Sequence, residues 1–316
     1  MTSPILLFSA CASLFAAQLA ASGPIEPETE AHIADSLPDQ FLQPDAERIA
    51  IAEDRIARMT VAVRIDDGGP YAFIIDTASQ RTILSSEIAG ALALDIEDEV
   101  TIVALAGTTV VQTVYVPRLT LGQRSYDGLV APTFRAAHIG ADGVLGLDSL
   151  QGQRILFDFL ARNISVGDTG EPLKSRSLRE IVVTARRRSG QLIFTNATIA
   201  GVKTSVIIDT GGELSIGNKM LQRRLRLKSS AMQQTSLVDV TGRSIPADYG
   251  IAEELLIGRA RFGVIPIAFA DIAPFGALGL EKTPALFLGM DALRKFDRVA
   301  IDFAQRKIYF LLPEGS

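Results

Sequence analysis

Two short segments decide the fold: Phe73-Ile74-Ile75-Asp76-Thr77-Ala78 and Val206-Ile207-Ile208-Asp209-Thr210-Gly211. In each, a continuous apolar run ends in an Asp-Thr pair that is followed by a small residue. One such segment would be unremarkable, because Asp often caps backbone amides where a buried strand enters a turn. Two segments of the same form, around positions 76 and 209, suggest that the chain contains two copies of one unit.

Further matches in the same order support an internal duplication. The segment Val144-Leu145-Gly146-Leu147-Asp148 corresponds to Phe287-Leu288-Gly289-Met290-Asp291, and Ile155-Leu156-Phe157-Asp158-Phe159 corresponds to Val299-Ala300-Ile301-Asp302-Phe303. Because three motifs recur in one order at similar spacing, we predict two copies of the same fold. Their bounds are residues 58–168 and 191–312, with a linker at 169–190.

The residue pattern of both copies is typical of strands and turns. Short apolar runs alternate with Gly, Pro and Asp, and the main helix candidate of the first copy is 85–94, with Ser85 or Ser86 as its N-cap. We therefore predict an all-β protein with a few short helices, built as two similar β-barrel lobes related by pseudo-twofold symmetry. Residues 23–57 read as a leader or linker, with a short helix near 44–51.

Composition excludes several classes of site and partner. A net charge of -5 argues against a nucleic-acid binder, which is normally basic. His32, His138 and Cys11 are the whole histidine and cysteine inventory, so no Cys/His zinc cluster and no convincing Ser-His-Asp or Cys-His site is expected. No metal and no cofactor is predicted.

The first 22 residues read as an export signal. An apolar run from Ile5 to Ala17 is too short to span a bilayer as a stable helix, and small residues at Ala20, Ala21 and Ser22 suggest cleavage near position 22. We expect an exported protein, periplasmic or secreted. The alternative is membrane anchoring through an uncleaved N-terminus or a lipid on Cys11.

The duplication predicts a chemical role for the two aspartates. A pseudo-twofold axis places equivalent residues face to face, so Asp76 and Asp209 are expected to meet where the two lobes join. Two adjacent carboxylates cannot both ionise cheaply, so they share a proton and titrate as a coupled pair. Such a pair can take a proton from a water molecule with one carboxylate and donate a hydrogen bond with the other.

These motifs resemble those of retropepsin-like and pepsin-like aspartic proteases. The residues at 74–79 and 207–212 match the active-site motif, and Val144-Leu145-Gly146 and Phe287-Leu288-Gly289 match a second signature, which crosses behind the active-site loop in that family. The resemblance covers about residues 58–310. It implies an aspartic endopeptidase that hydrolyses an extended peptide or protein substrate, and one chain supplies both halves, so a monomer suffices.

The resemblance also implies a role for each site residue. Asp76 and Asp209 would be catalytic, Thr77 and Thr210 would join the two loops by hydrogen bonds, and the Ser79 hydroxyl would bond the outer oxygen of Asp76. Ala78 and Gly211 take the position of the small residue after each Asp-Thr pair.

The family covers its cleft with a glycine-tipped hairpin, for which Gly107 and Gly242 are the two candidates. Two departures leave an alternative open. Ala78 replaces the usual glycine, and Gly212 has no hydroxyl where the first copy has Ser79. The alternative is a catalytically inactive member that binds a peptide or protein in the same cleft.

Overall fold

A computed structural model describes residues 5–6, 47–53, 59–168, 180–228 and 231–312. Strands dominate, and two lobes of like topology share a central sheet, which confirms the all-β, two-lobed prediction. Of the predicted export signal, only a two-residue strand, β1 (Ile5–Leu6), is among the described residues. The signal therefore stays a prediction.

The first lobe contains seven strands and two short helices. They are β3 (Met59–Ile65), β4 (Gly68–Ile75), β5 (Ile83–Ser85), α1 (Ser86–Ala91), β6 (Ile96–Ala104), β7 (Gly107–Leu121), β8 (Arg124–Phe134), α2 (Ala136–Ile139) and β9 (Gly143–Leu145). Strand β9 runs parallel to β4 on one side and antiparallel to β5 on the other, and β1 adds in parallel to the edge of β6. Helix α1 starts where predicted, because the Ser85 hydroxyl accepts the Ile88 amide at 3.3 Å and caps it.

The second lobe repeats this arrangement. Its elements are β13 (Arg186–Arg188), β14 (Gln191–Ile199), β15 (Val202–Ile208), β16 (Ile216–Gly217), α4 (Lys219–Leu225), β17 (Gln233–Val238), β18 (Ser244–Ile257), β19 (Ala260–Phe269), α5 (Ala273–Ala277) and β20 (Ala285–Leu288). Strand β20 runs parallel to β15 and antiparallel to β16, as β9 does between β4 and β5. The apolar runs that precede the two aspartates are thus central strands, buried on both faces.

The last six strands of a 14-stranded sheet form the segment that joins the lobes. Its strand order is β2-β11-β10-β21-β22-β12. The strands are β2 (Glu47–Glu53), β10 (Gln153–Asp158), β11 (Asn163–Asp168), β12 (Glu180–Thr184), β21 (Arg298–Asp302) and β22 (Lys307–Leu311). Helices α3 (Leu147–Leu150) and α6 (Met290–Leu293) precede β10 and β21. The predicted helix near 44–51 is wrong over residues 47–51, and residues 44–46 lie outside the described part of the chain. Pairing of residues 47–53 with both β11 and β3 outweighs the helix propensity of its Ala and Glu residues.

Two reciprocal ion pairs connect the lobes inside this sheet. Arg154 lies opposite Asp302 in the antiparallel register and reaches its carboxylate at 2.6 Å, and both side chains are buried. Four residues along, Asp158 lies opposite Arg298 at 2.7 Å. Because each lobe contributes one Arg and one Asp with the same spacing, the pairs fix the register of one lobe against the other.

No helix in the described part of the chain is long and apolar enough to cross a membrane.

Candidate active site

The two aspartates lie where the equivalent central strands β4 and β15 end. The Asp76 amide donates to the Leu145 carbonyl at 3.0 Å, and the Asp209 amide donates to the Leu288 carbonyl at the same distance. Each bond ties an aspartate to the parallel strand beside it. The strand of the second signature, β9 in the first copy and β20 in the second, therefore fixes where the aspartate lies along that strand.

The glycine of each second signature lets the chain cross close behind the active-site loop. A Cβ on Gly146 would lie 2.3 Å from the Arg81 carbonyl carbon, and one on Gly289 would lie 2.6 Å from that of Leu214. No real side chain tolerates such contacts, so both positions require glycine.

Backbone amides hold each carboxyl group from its own loop. The amides of Ala78 and Ser79 donate to Asp76 Oδ1 at 2.7 and 3.0 Å. The amides of Gly211 and Gly212 donate to Asp209 Oδ1 at 3.1 and 2.9 Å. Such bonds fix the orientation of each carboxyl group. The two loops are therefore equivalent at the level of the backbone.

One implied role of the resemblance is not observed. The Ser79 hydroxyl donates to the Arg81 carbonyl at 2.7 Å, and Ser79 reaches Asp76 through its amide instead. Its counterpart Gly212 makes the same amide contact with Asp209. The missing hydroxyl at 212 therefore removes no bond to a carboxyl group.

Thr77 and Thr210 join the two loops. The Thr77 hydroxyl donates to the Ile208 carbonyl at 2.9 Å, and the Thr210 hydroxyl donates to the Ile75 carbonyl at 2.7 Å. Each hydroxyl oxygen also accepts the backbone amide of the other threonine, at 3.1 and 3.2 Å. All four groups are buried, so these bonds fix the aspartates relative to each other.

The small residues after the Asp-Thr pairs have different surroundings. A Cβ on Gly211 would lie 2.3 Å from Asp76 Cγ, so the backbone of the second loop packs directly against the first carboxyl group. Neither Gly211 nor Ala78 has a positive φ. Gly211 is thus required for close approach to Asp76, whereas the Ala78 methyl group is buried in an apolar cluster with Val103 and Leu105.

The site is covered. Asp76 is 0% and Asp209 2% exposed. The hairpin of β6 and β7 (residues 96–121, hereafter the first hairpin) turns at Leu105 and Ala106, directly before Gly107. The hairpin of β17 and β18 (residues 233–257, the second hairpin) has Gly242 in its turn. Both glycines have a positive φ, of 125° and 80°.

The comparison with known families agrees with this geometry. The family model described as aspartyl protease matches residues 61–149 and 195–292, once in each lobe and over more than half of the chain. The chain belongs to the aspartyl protease family. No curated protein matches it.

Two further carboxyl groups support the loops that carry Asp76 and Asp209. Asp148 accepts the Thr82 hydroxyl at 2.7 Å, and Asp291 accepts the Ser215 hydroxyl at 2.9 Å. Burial raises the pKa of Asp148, and it raises the pKa of Asp291 to about 6 against the opposing effect of the Ser215 hydrogen bond. Each carboxyl group also accepts the backbone amide of the next residue, Ser149 at 2.9 Å and Ala292 at 2.8 Å.

Two buried polar residues around the candidate site were missed in the sequence analysis. Gln191 donates to the Ala78 carbonyl at 2.7 Å, and Asp239 lies at the tip of the second hairpin. Neither belongs to a repeated motif, so no signal in the sequence marks them. Among the described residues, no group of three or more His, Cys, Asp or Glu side chains is arranged to hold a metal ion.

Proposed function

We propose that this protein is an aspartic endopeptidase in which Asp76 and Asp209 together activate a water molecule. The observation that carries the proposal is the equivalence of the two loops. Each presents a carboxyl group held by two amides of its own loop, and the threonine bonds tie the loops to each other. A symmetric pair of carboxyl groups at a lobe junction is the arrangement that proton sharing needs.

The reaction follows from one shared proton. The ionised carboxylate takes a proton from water as the water oxygen attacks the carbonyl carbon of the peptide. The protonated partner gives its proton to the carbonyl oxygen, and a tetrahedral diol forms. The diol then collapses as the protonated carboxyl group gives its proton to the leaving amine and the ionised carboxylate takes a proton from a diol hydroxyl. This restores the single shared proton, and no covalent intermediate with the enzyme is formed.

We propose an extended peptide or protein segment as the substrate. The two hairpins would contact its backbone, since strand-like peptides bind largely through main-chain hydrogen bonds. A groove of about 540 Å³ leads away from the first hairpin tip along the second lobe, between Pro246 and Phe275. Exposed Arg223, Asp271 and Glu281 line its rim, so polar substrate residues are expected farther from the cleavage point.

The inactive, peptide-binding alternative rests on Ala78 and Gly212. Both residues nevertheless donate their backbone amides to an aspartate, at 2.7 and 2.9 Å. The Ala78 methyl group packs into an apolar cluster and requires no positive φ. These contacts support an active enzyme over the inactive, peptide-binding alternative.

The proposal includes a cellular location for the enzyme. We place it outside the cytoplasm, periplasmic or secreted, on the basis of the apolar, small-residue-rich segment at 1–22. Anchoring through that segment is the alternative, and comparing the mass of the exported protein with that of the full chain decides between them. A monomer is sufficient for this function, because one chain supplies both Asp76 and Asp209.

A cleavage assay tests the function. The wild type, Asp76→Asn and Asp209→Asn are incubated with a peptide pool over pH 3 to 8, and products are identified by mass spectrometry. We expect cleavage by the wild type alone. Cleavage that persists in both variants would exclude the aspartate pair, and wild-type binding of peptides without cleavage would favour the inactive alternative.

A further inference from the structure

The tip of each hairpin crosses to the opposite lobe. Leu105, in the first hairpin, is 2% exposed and packs in a cluster made mostly of second-lobe residues, among them Ile272 and Phe275. Val240, in the second hairpin, is 0% exposed and belongs to a cluster of first-lobe residues. Relative to the tip glycines, Leu105 and Val240 occupy equivalent positions. Each hairpin therefore buries one aliphatic side chain in the other half of the molecule.

Backbone contacts also hold each hairpin tip against the opposite lobe. The Leu105 carbonyl accepts the Ala273 amide of helix α5 at 3.0 Å. On the other side, Gly242 packs on the ring of His138 in helix α2, since a Cβ on Gly242 would lie 2.5 Å from the His138 Cε1 atom. Each tip thus docks on the short helix of the opposite lobe.

Asp239 connects the two tips directly. Its side chain is 0% exposed, and its Oδ2 atom accepts the Ala106 amide of the first hairpin at 3.0 Å. We call this contact the interhairpin bond. Its other oxygen, Oδ1, accepts the amides of Thr241 and Arg243 within its own turn, at 2.9 and 3.2 Å. The equivalent position in the first hairpin is Ala104, so only the second hairpin carries such a carboxylate.

The closed arrangement seals the aspartates. At 0% and 2% exposure, Asp76 and Asp209 make essentially no contact with solvent, although hydrolysis requires both water and a peptide beside them. Entry of a peptide therefore requires the tips to leave the opposite lobes. Because Ala106 and Asp239 lie on different hairpins, their hydrogen bond breaks when the tips separate.

We propose that Asp239 is a positioning residue that holds the two hairpins closed over the active site in the resting enzyme, and that substrate binds only after the interhairpin bond breaks. The proposal rests on the proposed peptidase function. When only a fraction of molecules is open, the apparent affinity for substrate falls by that fraction. Asp239 then raises KM while the chemical step stays unaffected.

The variant Asp239→Asn isolates this bond. An Asn oxygen can keep the position of Oδ1, which accepts two amides and the Thr241 hydroxyl. Its amide nitrogen then faces the Ala106 amide, so a donor meets a donor and only the interhairpin bond is lost. The matched control is Asp248→Asn, on the same hairpin, whose carboxylate accepts hydrogen bonds from Lys219 and Gln222 within the second lobe.

Hydrogen–deuterium exchange of the full-length protein without substrate measures the closed state directly. In Asp239→Asn, we expect exchange of segments 102–108 and 238–244 to accelerate on the order of tenfold, because a hydrogen bond to a charged group is lost. In the peptide-cleavage assay, KM should fall several-fold with kcat within about twofold of wild type. Asp248→Asn should match the wild type in both measurements.

The outcomes separate this proposal from the function on which it rests. Faster exchange of 238–244 alone would show that Asp239 only caps its own turn, and it would overturn the proposal. A lower kcat at unchanged KM would overturn it too, because Asp239 would then act in the substrate complex. Absence of cleavage by the wild type would count against the peptidase function, while the exchange of segment 102–108 would still decide the role of Asp239.

Discussion

Thr77 and Thr210 each donate a hydroxyl hydrogen bond to the carbonyl that lies two residues before the other: Thr77 to Ile208 and Thr210 to Ile75. Each accepting carbonyl directly precedes an aspartate in the sequence. A shift of one loop against the other would break both bonds at once. The separation of Asp76 and Asp209 is thus set by threonines whose hydroxyl groups bond the backbone of the opposite loop.

Removing one of these hydroxyl groups should destabilise the whole protein. Thr210→Val keeps the side-chain shape but leaves the Ile75 carbonyl and the Thr77 amide without their buried partner. We expect a loss of about 1–3 kcal/mol in the free energy of unfolding, measured by urea denaturation. Thr210→Ser, which keeps the hydroxyl, should lose clearly less, and equal losses in the two variants would contradict the role of the hydroxyl.

A methyl group should be tolerated at 78 and not at 211. In Gly211→Ala the new Cβ would displace the Asp76 carboxyl group, and we expect kcat to fall about a hundredfold, the scale for a misplacement of about 1 Å. The matched variant Ala78→Gly should keep kcat within a few-fold of wild type. A large gain of activity in Ala78→Gly would instead support the view that Ala78 silences the natural protein.

The buried ion pair between the lobes should be sensitive to loss of one partner. Arg154→Met leaves the Asp302 carboxylate buried without its cation, and we expect a loss of about 3–5 kcal/mol in the free energy of unfolding. Arg118 and Asp127 form an exposed pair, and Arg118→Met should cause no resolvable change. Similar losses in the two variants would show that burial of the interlobe pair does not matter.

Asp291 should contribute to the pH dependence of stability. Burial raises its pKa from 3.8 to about 6, so between those values the folded protein keeps a proton that the unfolded chain has lost. Its favourable contribution is complete below about pH 4 and is lost as the pH rises through 6. Asp291→Asn cannot ionise, so its stability relative to wild type should improve from pH 4 to 7, by on the order of 2–3 kcal/mol. Parallel stability curves for the two proteins would contradict the raised pKa.

Much of the fold could be predicted because its determinants are local and occur twice. Apolar runs that end in Asp76-Thr77 and Asp209-Thr210 indicate buried strands that end at turns, and the duplication indicates that they meet. The strand at Glu47–Glu53 escaped prediction because its conformation depends on pairing with two distant strands. Local propensity does not contain that information.

The parts of the site that were missed depend on contacts between the two halves. Arg154 and Asp158 recur as Arg298 and Asp302, so a signal for the ion pairs was present, but only the antiparallel register shows that each Arg faces the other Asp. Asp239 has no counterpart in the first lobe. Its partner Ala106 is distant in the sequence and is brought close only by the closed hairpins.

The central claim is that Asp76 and Asp209 act as one catalytic unit, and a double-variant comparison tests it most directly. The kcat/KM of wild type, Asp76→Asn, Asp209→Asn and the double variant is measured on one cleaved peptide, with folding of each verified by urea denaturation. We predict that each single substitution lowers kcat/KM by about a thousandfold or more and that the double variant is no worse, because residues that act as a unit are not additive. A folded single variant that retains kcat/KM within about tenfold of wild type would contradict the claim.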